Sequence, residues 1–337
     1  MPASPRLDCF DTKRAASEYR PARTLSRINP CPQSEKDLDA MVSERANAVA
    51  TEAYGAWHSP TADLASLRKG FDNMLPEPAD DVVVAESTVA GIPGRWVSTP
   101  TSGSTVVLYV HGGGFILGSS FGYRGLAARI ARVSDASAFI PDYRLAPETP
   151  FPGAFDDVVA VYRGLITDQG ISPHNIAIAA DSAGGGLALA AVVALRDAGD
   201  PLPAALTLLS PFGDLTLSAN SLNTNESLDP INTTRGAAEQ GVALYIGEGD
   251  ATDPRASAMF SDLTGLPPLL VQAGTAEIVL DDAIRIAENA RKAGVDVDLQ
   301  LSYDMIHVYQ MFADQLPEGQ AAIEEIGKFI QRHVGAR

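Results

Sequence analysis

Residues 176–192 read IAIAADSAGGGLALAAV: an apolar run, then Asp181-Ser182, then three glycines, then a stretch rich in alanine and leucine. Ser182 has two readings here. It can cap the helix that follows, since Ser and Asp at this position accept a hydrogen bond from an orphan backbone N–H. It can also be a nucleophile held at the tip of a strand-to-helix turn. Such an elbow needs small residues two before and two after the serine, because the turn is tight and strained. Ala180 and Gly184 fill those places. The stretch alone leaves both readings open, and the rest of the chain decides between them.

On either side of this stretch, short apolar runs alternate with helical patterns. TVVLYVH (105–111), SAFIPDYR (137–144), NIAIAAD (175–181), AALTLLSP (204–211), PPLLVQAG (267–274) and DVDLQLSY (296–303) read as strands. Segments 123–134, 154–169, 281–294 and 319–334, together with the run after Ser182, have helical spacing. Upstream, VVVAESTVAG and GRWVSTP read as two strands joined by a tight Gly-Ile-Pro-Gly turn. Near-continuous apolar strands alternating with helices predict an α/β fold, mainly parallel, with helices on both faces of the sheet. Its functional crevice should lie beyond the carboxyl ends of the strands.

Residues 213–250 are polar and break the alternation, and they are too long for a simple connection. They read as an inserted lid. Residues 1–35 look irregular, and 36–72 hold amphipathic helix candidates. The expected division is therefore a catalytic domain at 76–212 and 251–337, with a helical cap from 1–75 and 213–250.

Composition narrows the function. The chain has 337 residues, 45% of them hydrophobic and 20% charged, which suits a soluble globular protein. Its net charge of −17 disfavours nucleic acid and anionic membranes as partners and favours neutral substrates. The longest apolar stretch, LALAAVVAL (187–195), falls short of the roughly 18 residues of a spanning helix, so no membrane anchor is expected. The N-terminus shows no signal-peptide core, which points to the cytoplasm. Cys9 and Cys31 are the two cysteines, and reduced thiols are the simpler reading there. No CxxC, HExxH or other metal-ligand spacing occurs, so neither a metal nor a cofactor is expected.

If the sheet is parallel, residues just after separate strands converge. Ser182 stands at one strand end. At a second, His111 precedes three glycines in HGGGF (111–115). Consecutive glycines are costly to order and contribute no packing, and their use is unobstructed backbone N–H. At a third, SYDMIH ends in His307. His58 lies in the N-terminal region, His174 precedes a strand and His333 belongs to the last helix. His307 is therefore the histidine placed to serve Ser182 as base. The acid should follow PPLLVQAG, where Glu277, Asp281 and Asp282 are available. Asp281 and Asp282 open a helix, where acids commonly cap. Glu277 lies nearer the strand end and is the expected acid.

These stations, with DYRLAPETPFPGAFDD (142–157), DSAGGG (181–186), GTAEIVLDD (274–282) and MIHVY (305–309), closely resemble the hormone-sensitive-lipase-like branch of the α/β-hydrolases, the bacterial family IV carboxylesterases. The resemblance runs from about residue 80 to the C-terminus. Two departures stand out: Ala180 replaces the elbow glycine, and Glu277 replaces the commoner Asp.

The resemblance implies an α/β-hydrolase fold with an eight-stranded sheet and a helical cap. It also implies a serine esterase acting on short- to medium-chain acyl esters, and a homodimer. Ser182, Glu277 and His307 would form the triad. The N–H groups of Gly113, Gly114 and Ala183 would form the oxyanion hole, with His111 and Asp181 in support. The Asp and Arg of the 142–157 segment would brace the site. A lactone of the monoterpene type is an ester too, and the same triad could serve acyl transfer or elimination. Some relatives only bind ligands after losing the histidine, but here Ser182 and His307 are both present.

Overall fold

Strand polarity in the computed structural model follows from the connections. The structure describes residues 46, 48, 49, 63–229 and 235–335. Strand β1 (Val83–Val89) pairs antiparallel with β2 (Ile92–Ser98), and β2 pairs antiparallel with β4 (Ala136–Pro141). From there the sheet is parallel through β3 (Thr105–Val110), β5 (Ile176–Asp181), β6 (Ala205–Leu209), β7 (Leu269–Gly274) and β8 (Val297–Ser302). The order across the eight-stranded sheet is β1-β2-β4-β3-β5-β6-β7-β8, and the mainly parallel pairing agrees with the alternating pattern. The reversal of direction about β3 and β5 puts the crevice beyond their carboxyl ends.

Period-two alternation splits the side chains of each strand between two cores. Val106, Leu108 and Val110 join one cluster, with Ile178, Ala180 and Leu208. It is covered by α3 (Gly153–Thr167), α4 (Ser182–Ala198) and α7 (Leu280–Lys292), through residues such as Val158, Leu187 and Ile286. Val107 and Tyr109 face the other cluster, covered by α2 (Arg124–Val133) and α8 (Pro317–His333) through Leu126, Ile130, Ile326 and Ile330. Helix α4 is buried along almost its whole length, which explains why its sequence shows no polar face.

Two expectations are corrected. The first hairpin does not turn at Gly-Ile-Pro-Gly. Val89 pairs with Ile92 across Ala90 and Gly91, whose φ angles are +52° and +81°. That is the two-residue turn whose twist matches the flanking strands. Ile92, Pro93 and Gly94 therefore belong to β2. Strand β4 also ends at Pro141 rather than Arg144, which frees Asp142, Tyr143 and Arg144 for side-chain work at the strand end.

Helix α1 (Leu64–Met74) starts at the Asp63 cap, whose Oδ1 accepts the Ser66 N–H at 2.8 Å. It is tied down by Arg68, which donates to the carbonyls of Ile116 and Ala146 and to Glu148. The insertion carries α5 (Ser221–Thr224) and α6 (Arg235–Ile246). The expected readings of Cys9, Cys31, His58 and residues 1–35, and most of the helix candidates of 36–62, lie outside the described residues. No helix among the described residues is long and apolar enough to cross a membrane.

Candidate active site

The turn after β5 explains why small residues flank Ser182. Its φ is +51°, in the left-handed region that costs a non-glycine residue about 1–2 kcal/mol. A Cβ on Gly184 would collide with the backbone carbonyls of Val110 and His111, so only glycine lets α4 leave β5 this close to β3. The methyl of Ala180, where glycine is the commoner residue, is fully buried in the sheet core. Of the two readings of Ser182, capping has no support, since Ser182 is the first residue of α4 and Asp181 makes no side-chain capping bond.

His307 Nε2 lies 2.8 Å from Ser182 Oγ, and His307 Nδ1 lies 2.7 Å from Glu277 Oε2. The three residues come from the ends of β5, β7 and β8 and meet in one relay. Glu277 is fully buried and His307 nearly so. The second carboxylate oxygen, Oε1, accepts the Gly274 N–H at 2.9 Å. Burial disfavours charged His307, but the hydrogen bond and charge of Glu277 outweigh it and raise the imidazole above its ordinary value. With Nδ1–H donated to Glu277, Nε2 is left free to accept the Ser182 proton.

The glycine loop meets the elbow from the β3 side. Gly113 and Gly114 have φ of +107° and +61°, a run that only glycine follows without strain. A Cβ on Gly112 would collide with the Asp181 carboxylate and crowd the Ser182 Cβ, whereas one on Gly114 would meet nothing. Ala183 lies in the first turn of α4, where backbone N–H groups have no partner within the helix. The loop, the helix end and Ser182 thus form one concave corner.

Asp181 and His111 tie this corner to the core. Asp181 accepts from Tyr109 Oη and Gly112 N at 2.9 Å and from Tyr123 Oη at 3.0 Å. Burial pushes its carboxyl up to about 6, and these hydrogen bonds hold the shift in check. His111 is stacked between Tyr123 and Tyr143, and burial drives its imidazole down to about 4, so it is neutral at pH 7. Tyr143 Oη donates to the His111 carbonyl at 2.6 Å. In the brace expected from 142–157, Asp142 accepts from Ser120 N and Oγ, and Arg144 pairs with buried Asp157.

Several participants were not anticipated. Asp281 and Asp282 do not cap α7, which has no side-chain cap. Instead Asp282 accepts the N–H groups of Gly213 and Asp214, pinning the start of the insertion. Ser210, with φ of +48°, links the acid to the histidine segment: its Oγ accepts the Val308 N–H at 3.0 Å, and its hydroxyl hydrogen-bonds the Glu277 carboxylate. Ser210 directly follows β6, so the strand-end rule could have found it. Asn225 and Asp229, in the insertion, carry no such signal. No group of three or more His, Cys, Asp or Glu suited to a metal occurs among the described residues.

An α/β-hydrolase fold family profile matches residues 107–311. An acetyl-hydrolase from Streptomyces hygroscopicus is 38% identical over 289 residues, covering 83% of this chain and 93% of that protein. Among solved structures, an esterase from the bacterial hormone-sensitive lipase family is 41% identical, with a TM-score of 0.83 over 87% of this chain and 99% of that one. The esterase EstE5, crystallised and soaked with p-nitrophenyl butyrate, is 39% identical, with a TM-score of 0.82 over 87% of this chain and all of that one.

Proposed function

The chain belongs to the α/β-hydrolase family, in its hormone-sensitive-lipase-like esterase branch, and on that premise we propose that it is a carboxylesterase that cleaves neutral acyl esters through an acyl-enzyme on Ser182. The observation that carries this reading is the unbroken relay from Glu277 through His307 to Ser182, at 2.7 and 2.8 Å.

In this mechanism His307 Nε2 takes the Ser182 proton as Oγ attacks the ester carbonyl carbon. The carbonyl electron pair moves onto oxygen, and the N–H groups of Gly113, Gly114 and Ala183 receive the oxyanion. One such donor contributes about 10²–10³ in rate. Collapse breaks the bond to the alcohol oxygen, which leaves with the proton from His307. Water then repeats the sequence, freeing the carboxylic acid and returning the proton to Ser182. Glu277 holds the imidazole in the right tautomer and stabilises the imidazolium.

Short- to medium-chain esters are the proposed substrates. The chain's net charge of −17 favours neutral molecules, one relative is an acetyl-hydrolase, and a similar esterase was soaked with a butyrate ester. Of the expected cap, the described residues 63–75, 213–229 and 235–250 are assigned to the boundary of the acyl site. In α6 the Tyr245 ring stacks on Phe115, at the end of the glycine loop, at 3.9 Å.

The test is hydrolysis of p-nitrophenyl acetate and butyrate by the wild type and Ser182→Ala. The variant should lose at least about 10³-fold in kcat. A fluorophosphonate should label Ser182 and no other residue. Full activity in Ser182→Ala, or labelling elsewhere, overturns the assignment.

A further inference from the structure

The loop that carries Glu277, between β7 and α7, has no sheet or helix ladder to satisfy its buried backbone, and buried peptide groups rarely stay unpaired. One side of it is held by the segment bearing His307. Thr275 N donates to the Ser302 carbonyl and Ala276 N to the Met305 carbonyl. The other side is held by the polar insertion. Asn225 Nδ2 donates to the carbonyls of Thr275 and Glu277 at 3.1 and 3.0 Å. Ser221 Oγ donates to the Ile278 carbonyl at 2.7 Å, and Asp229 Oδ2 accepts the Ile278 N–H at 3.2 Å.

Ser221, Asn225 and Asp229 stand four residues apart and are all buried. Backbone bonds link them in series, Asn225 N to the Ser221 carbonyl and Asp229 N to the Asn225 carbonyl. They therefore present one row of side chains to the acid loop. We propose that Asn225 and Asp229 are positioning residues for Glu277, so that the inserted segment sets the geometry of the relay as well as bounding the substrate site. This rests on the assignment of Ser182, Glu277 and His307 made above.

Asn225 acts on the main chain of the acid itself: without its two donated hydrogen bonds, the Thr275 and Glu277 carbonyls lose those partners and the loop relaxes. A displacement of the acid by an ångström is enough to cost a relay about 10²-fold. Asp229 has a second effect, because it is a carboxylate as well as an acceptor. The charged groups that act on His307 among the described residues are Glu277 from the acid loop, Asp229 from the insertion and Asp181 from the end of β5. Each favours the imidazolium that forms as Ser182 attacks.

The experiment compares Asn225→Ala, Asp229→Ala, Asp229→Asn and Glu277→Gln in the full chain, using p-nitrophenyl butyrate across pH 5–9 well below each variant's melting temperature. Asn225→Ala and Asp229→Ala should lose about 10- to 100-fold in kcat with little change in KM. Asp229→Asn keeps an oxygen for the Ile278 N–H but removes the charge. It should recover most of kcat on the alkaline plateau, with the acid limb of kcat/KM moved to lower pH.

Wild-type kcat in both alanine variants, or losses confined to KM, overturns the proposal. If Asn225→Ala does not fold, Asp229→Asn decides, and an unmoved acid limb overturns the electrostatic role. Glu277→Gln separates the two levels: if it too is silent, the relay assignment fails, and if it alone is impaired, only the positioning role fails.

Discussion

The carboxylate of Asp181 accepts the backbone N–H of Gly112 at 2.9 Å across 69 positions of sequence. It joins the residue before Ser182 to the first glycine of the loop that faces it. The same oxygen takes the Tyr109 hydroxyl, and its partner oxygen takes that of Tyr123. One buried side chain thus ties the turn at Ser182 to the glycine loop.

That linkage gives Asp181 a pH signature. Folding raises its carboxyl from 3.8 to about 6 through burial. A raised carboxyl contributes stability that is fully present below pH 3.8 and is lost as pH rises through about 6, a change of about 3 kcal/mol. Urea denaturation of the wild type and Asp181→Asn between pH 4 and 8 should show a shallower fall in the variant, since Asp282 and Asp304, raised to about 7 and about 6, keep their own share of the slope. Asp181→Ala should be destabilised by about 2–4 kcal/mol at pH 4, because it strands two hydroxyls and an amide, and by less as pH rises through about 6.

For His307, the pH profile reports the relay. Its imidazole lies above its ordinary value because the Glu277 hydrogen bond and charge outweigh burial. The base must be neutral, so kcat/KM should fall as pH drops through this raised value. Glu277→Gln removes the strongest of the groups that raise it, leaving only Asp229 and Asp181 to oppose burial. Its acid limb should move to lower pH while kcat drops by about 10²–10⁴. A variant whose limb stays in place would show that Glu277 does not govern the imidazole.

Glycine substitutions should separate space from backbone conformation. A methyl group at Gly184 meets fixed backbone carbonyls, and one at Gly112 meets the Asp181 carboxylate. Both alanine variants should fold poorly or melt well below the wild type. Gly114→Ala has open space and carries only the left-handed φ of +61°, a cost of about 1–2 kcal/mol. Thermal melts that rank Gly114→Ala with the other two would contradict this packing.

Tyr245 stacks on Phe115 with ring planes 7° apart, yet its hydroxyl is buried with no hydrogen-bond partner among the described residues. Tyr245→Phe keeps the stack and removes a polar atom whose burial costs about 1–3 kcal/mol. It should therefore be as stable as the wild type or more so. Tyr245→Ala opens a cavity beside the glycine loop and should cost about 3–5 kcal/mol. A destabilised Tyr245→Phe would reveal a partner for the hydroxyl.

Much of the candidate site could be read from local pattern because each residue follows an apolar strand. A parallel sheet brings all its strand ends to one rim, so chain position translated into spatial position for Ser182, His307, Glu277 and the glycine loop. Ser210 obeys the same rule and was overlooked because nothing in its immediate sequence suggests chemistry. The Ala90-Gly91 turn was misplaced because Gly94 looked like a turn residue. Its actual reason is that a side chain there would collide with Ile140 and Phe139 on the neighbouring strand.

Periodicity and local steric need are enough to fix the strand-helix alternation, the small residues around Ser182 and the chain order of Ser182, Glu277 and His307 at successive strand ends. The roles of the other buried polar residues come from long-range contacts alone. Asp181, Asp282, Asn225 and Asp229 find their partners across tens of residues of chain. Such contacts leave no period in the sequence: each is set by which backbone groups the fold has buried and left in need of a donor or acceptor.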